Sequence, residues 1–118
     1  MSNKTKTIRN LRKAADLIVK RGYVKYTRHI NEYDGAMCAL GALEDAVGKY
    51  AHWHAETYCR DEILALADMI PEDAKQDCKQ RWLGIPVEEK AVAYIANWNN
   101  CHCDSAEDVA CVMRATAT

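Results

Sequence analysis

An all-α fold, a compact bundle of five or six helices around a buried central helix, is predicted by three features of the sequence. Apolar residues recur at helical spacing in several separate segments. Nearly half of the 118 residues are apolar, enough for a substantial core. Turn-forming residues are scarce, with five Gly and two Pro, where an all-β domain of this size needs more. The length suits one domain, residues 1–118, and no internal repeat, low-complexity tract or linker divides it.

The first helix is expected from Thr7, as N-cap, to Arg21, with Ile8, Leu11, Ala15 and Ile18 as its core stripe. Gly22 then suits the left-handed residue that ends it. Residues 23–35 have no helical period and read either as a loop or as a short two-stranded ribbon, with Asp34-Gly35 as a turn signal. The second helix is expected over Ala36–Val47. Its first half is apolar without interruption to Leu43, so it should be buried on all sides at the centre of the bundle, and Gly48 should stop it. A third helix carries Ile63, Leu64, Ala67 and Ile70 inward and ends at Pro71. A shorter helix follows over Glu72–Trp82. Pro86 opens the next, which carries Val87, Ala91, Tyr94, Ile95 and Trp98 and ends at Asn99-Asn100. In the last helix Ser105 is the cap, Asp108 takes the third position of a capping box, and Val109, Val112 and Met113 face inward.

No apolar run is long enough to cross a bilayer, and the first residues lack the pattern of a signal peptide. Cytoplasmic residence without membrane contact is therefore expected, in a host cell if the chain is phage-encoded. The six cysteines then read as thiols or metal ligands and not as disulfides. Cys38, Cys59 and Cys111 sit among apolar neighbours, where free cysteine behaves as a small hydrophobe.

The net charge of −1 conceals a division. Residues 1–30 hold nine Lys or Arg and one acid, +8, whereas residues 31–118 hold seven and sixteen, −9. A basic arm on an acidic body suggests a nucleic-acid contact through Arg9, Lys13, Lys20 and Lys25, or a first helix that lies against its own acidic remainder. Aromatic and basic residues crowd two segments without helical period. Tyr26, Arg28, His29 and Tyr33 lie in one, and Tyr50, His52, Trp53 and His54 in the other. Such residues dominate binding hot spots, which makes them candidates for a partner surface.

Chemical motifs are few. No phosphate-binding Gly-rich loop, His-Glu-x-x-His or Gly-x-Ser-x-Gly occurs, so nothing points to an enzyme. No cofactor is expected. One alternative is zinc held by His52, His54, Cys101 and Cys103, because alternate residues of extended backbone point the same way, although no standard ligand spacing is met. Cys38, at a helix start but among apolar residues, reads as core and not as a nucleophile. In Trp98-Asn99-Asn100 the ring should fill the core while the amides satisfy helix-end backbone groups.

Four stretches taken together, Ala14-Ala15-Asp16-Leu17-Ile18, Arg21-Gly22-Tyr23, Cys38-Ala39-Leu40-Gly41-Ala42-Leu43 and Ala96-Asn97-Trp98-Asn99-Asn100 before a capped helix, resemble a family of small helical phage and bacterial proteins without an assigned activity. The family pattern has Trp-Asn-Asp where this chain has Asn100, and the stretch from Pro71 to Pro86 is longer here. The resemblance implies a fold and a phage setting. The leading expectation is a binding module that occupies a surface of a host or defence protein as inhibitor or modulator. Ligand or zinc binding and nucleic-acid binding are the alternatives. A homodimer is compatible with the sequence, since symmetric pairs are the commonest assemblies, but no residues single out an interface.

Overall fold

In the computed structural model the described residues are 3–25, 35–48, 59–76 and 84–118. They form six α-helices: α1 (Asn3–Arg21), α2 (Ala39–Val47), α3 (Arg60–Met69), α4 (Glu72–Gln76), α5 (Val87–Asn97) and α6 (Ala106–Thr116). A wide π turn, Trp98–His102, continues α5. Helix α1 packs chiefly against α6 and α2, while α3 packs against α5. Every helix sends apolar side chains into one core, as the sequence pattern requires.

Helix α1 begins at Asn3, so Thr7 is not its cap but a half-buried residue of its second turn. The Thr7 side chain hydrogen-bonds Glu62 of α3, a tertiary partner in place of the helix-end amide that a cap would bind. Leu11, Ala14, Ala15 and Ile18 are buried. Gly22 ends the helix with φ 103° while its N–H donates to Ile18 O.

The segment after Gly22 departs from a helix because its backbone is paired elsewhere. Met37 N donates to Gly22 O and Val24 N to Met37 O, so Tyr23 and Met37 form one parallel bridge. Among the described residues no strand extends it; residues 26–34 of the expected ribbon lie outside them. The same pairing moves the start of α2. Ala36 and Met37 are buried but extended, and the helix opens only at Ala39. Cys38 is its N-cap, with Sγ accepting from Gly41 N at 3.3 Å. From Ala39 to Leu43 every residue is buried, and Gly48 stops the helix at φ 86°.

Ile63, Leu66 and Ala67 of α3 and Ile70 just after it face the core; Leu64 is half-buried. Helix α4 is described to Gln76, and residues 77–83 of its expected continuation lie outside the described set. Pro86 caps α5, whose Ala91 and Ile95 are buried, as is Trp98 just beyond. The α6 cap forms as expected at its first bond: Ser105 Oγ accepts from Asp108 N at 3.2 Å. The return bond is shifted by one residue, because Asp108 Oδ2 accepts from Asp104 N at 2.9 Å and not from Ser105.

Candidate functional site

The outward face of α1 is the charged surface most fully described. With about 100° between successive residues, Lys6, Arg9, Lys13 and Lys20 fall within about 60° of one another, opposite the buried Leu11 and Ile18. All four side chains are exposed. Among the described residues none forms an ion pair with Lys6, Lys13 or Lys20. Asp16, the one acid of the helix, borders the stripe and accepts from Arg114 Nη2 of α6 at 3.1 Å. A neighbouring helix thus offsets the negative charge within the basic surface.

Other cations of the basic arm turn toward the acidic body, as expected of a first helix that lies against its own acidic remainder. Arg21 pairs with Asp45 of α2 at 3.6 Å. Lys25 lies beyond the end of α1 and pairs with Asp104 at 3.6 Å, so it does not share the face of Arg9, Lys13 and Lys20.

The expected aromatic surface, Tyr26, Arg28, His29, Tyr33, Tyr50, His52, Trp53 and His54, lies outside the described residues. The same holds for the two histidines of the zinc alternative. Its two cysteines differ in surroundings: Cys101 is exposed in the π turn, whereas Cys103 is buried. Burial, with Asp108 and Asp104 nearby, pushes the Cys103 thiol up to about 12, and Lys25 partly opposes this. Among the described residues no group of three or more His, Cys, Asp or Glu is placed to hold a metal ion.

A buried polar layer accompanies α1 on its inner side. Asn10 Nδ2 donates to Glu62 Oε2 at 3.5 Å, and both residues are buried, as is Glu44 of α2. Burial is the main cause of a raised Glu62 pKa; its own backbone N–H and the Asn10 and Thr7 side chains oppose it. Burial also pushes the Cys59 thiol up to about 12, helped by Glu62 and Glu44. Residue type alone conceals this layer. Spacing discloses it, since Asn10 lies four residues before Ala14, and Glu62 falls in step with Cys59 and Leu66.

The Trp-Asn-Asn segment is structural in the expected sense, but the helix ends it serves are not its own. Asn99 Oδ1 accepts from Ala39 N at 2.9 Å, and Asn99 Nδ2 donates to Val24 O at 3.3 Å and to Asn100 Oδ1 at 3.0 Å. Asn97 Nδ2 likewise donates to Ala74 O of α4 at 3.1 Å. The Tyr23 hydroxyl donates to Asn99 O, and Cys103 O lies 3.1 Å from the same oxygen.

Among the described residues, grooves cross the outside of the bundle. One of about 350 Å³ lies between α1, α3 and the end of α6, over Ile8, Leu11, Leu64 and Ala65. A smaller one of about 160 Å³ lies between α3, α4 and α5, bordered by Val87 and Tyr94. Both are open and mainly apolar. No helix among the described residues is long and apolar enough to cross a membrane.

No curated protein and no solved structure matches the chain. A family model does match it over residues 2–118, nearly its whole length. The chain belongs to that family, DUF6197, a family of unknown function.

Proposed function

We propose that the protein is a binding module that acts by occupying an acidic surface of another macromolecule. The observation that supports this is the exposed Lys6, Arg9, Lys13, Lys20 face of α1, with its bordering acid offset by Arg114. A helix that served only the fold would be stabilised by alternating acids and bases along such a face, four residues apart. Here Lys6, Arg9 and Lys13 follow one another at a cost in mutual repulsion, and Asp16, the one acid between them and Lys20, is shared with Arg114.

The phage setting implied by the sequence resemblance makes a host or defence macromolecule the natural target. On that reading the protein inhibits or modulates its target by covering it. The aromatic segments singled out in the sequence lie outside the described residues, and the support comes from α1.

Site-specific photo-crosslinking tests the proposal. A photoreactive residue at position 13 should give a saturable adduct in cells, displaced by excess unmodified protein. The same residue at Glu89, exposed on α5, should give none. Digestion with nuclease or protease then identifies the class of partner. Equal labelling from both positions, or none from position 13, refutes the assignment.

A further inference from the structure

We propose that the outward face of α1 is a contact for the phosphate backbone of duplex nucleic acid, recognised by charge and not by base sequence. This rests on the docking reading above and names its partner. Lys6, Lys13 and Lys20 recur every seventh residue, about 10.5 Å apart along the helix axis, so the stripe is a straight run of about 21 Å. A duplex strand completes a turn in about 34 Å of axis and so crosses a straight stripe of this length obliquely, and the three lysines suit about three phosphates where strand and groove edges pass the helix.

Charge complementarity favours nucleic acid over a folded acidic protein. An exposed lysine gains little from one carboxylate on a protein surface, because water and salt screen the pair and two long side chains must be held still. Protein interfaces therefore depend on aromatic or apolar anchors. The α1 stripe has no aromatic residue, and the one large apolar residue exposed on the helix is Val19. Against a polyphosphate the same hydrated lysines are effective, since each phosphate neutralised releases condensed counterions. Single strands are held largely by stacking on aromatic rings, which this face also lacks.

The acidic body does not cancel the effect. Asp16 is held by Arg114, Asp45 by Arg21 and Asp104 by Lys25. Beside the first turns of α1 lie the uncharged side chains of Thr116 and Thr118 and one acid, Asp61, which is paired with Arg60 at 3.9 Å.

Fluorescence anisotropy on the full chain decides the matter, with three labelled probes: a mixed-sequence DNA duplex, a single strand of equal length and poly-L-glutamate. The duplex should bind best, with little dependence on sequence. Its affinity should fall with salt with a log–log slope of about −3. The variant Lys6→Gln/Lys13→Gln/Lys20→Gln should weaken binding at low salt at least about tenfold and flatten the slope by about one unit per lysine. The control Lys75→Gln/Lys90→Gln should leave both unchanged, and circular dichroism checks that each variant is folded. A duplex affinity indifferent to the triple substitution overturns the inference, as does tighter binding of the single strand. Binding of poly-L-glutamate in preference to both nucleic acids overturns it while leaving the docking reading intact. No binding to any probe at low salt overturns both.

Discussion

Glu62 brings a carboxylate into the interior at 5% exposure, and burial raises its pKa above the usual carboxylate value. The native state therefore holds a proton there more tightly than the unfolded chain does. Its contribution to stability is complete below the unfolded pKa and is lost as the pH rises through the folded one. Glu62→Gln keeps the shape and removes the charge. Thermal melts across the acidic and neutral range should show the variant more stable at neutral pH, by about 1 kcal/mol, with a flatter profile. A profile parallel to that of the parent contradicts the burial argument. The cysteines give a second test at this scale. Burial raises the thiols of Cys38 to about 11 and of Cys59 and Cys103 to about 12. Peptide-mapped alkylation of the native protein near pH 8 should label the exposed Cys101 and Cys111 and spare those three. Fast labelling of Cys103 would show that the end of the π turn opens in solution.

Helix ends in this molecule are closed in two ways, and they should differ in energy. Ser105 caps α6 at the surface, from within its own segment. Ser105→Ala should cost about 1 kcal/mol in urea unfolding. Asn99 closes α2 from the far side of the chain, inside the core. Asn99→Ala leaves the buried Ala39 N–H and the half-buried Val24 carbonyl without this partner, and should cost about 3 kcal/mol. Equal losses would mean that water replaces the Asn99 amide. The same contrast explains which elements were legible in the sequence. The α6 cap was, because all its parts lie within four residues. The stops at Gly22 and Gly48 were too, because a left-handed residue is a local requirement. The start of α2 was misplaced at Ala36. An unbroken apolar run declares burial but not conformation, and the pairing of Met37 with Gly22 that keeps it extended depends on a residue fifteen positions away. Thr7 misled for the opposite reason: a residue suited to a cap can also lie within a helix when its side chain finds a tertiary partner, here Glu62.

Across the whole molecule the basic arm separates into two populations. Arg21 and Lys25 fasten the end of α1 to the acidic body, whereas Lys6, Arg9, Lys13 and Lys20 face outward. The charge division was visible in the sequence, and helical spacing was enough to place Arg9, Lys13 and Lys20 on one face. Lys25 could not be separated from them without knowing where α1 ends and that Asp104 lies beside it. The buried Asn10, Glu44 and Glu62 escaped notice because polarity argues for the surface, and only their position in the helical period argues otherwise.

The reach of Asn99 and Tyr23 across the chain bears on how the protein is made. Ala39 waits on a side chain sixty positions later, and Tyr23 on carbonyls as far as position 103. Synthesis delivers the chain at about 5–20 residues per second. For seconds, then, the apolar α2 segment is outside the ribosome while the amide that closes its first turn has yet to be translated. The central helix should be completed last and not first. Presented on the ribosome by a linker long enough to clear the exit tunnel, a chain cut before Trp98 should remain open to protease throughout residues 36–47, whereas the full chain presented in the same way should be resistant there.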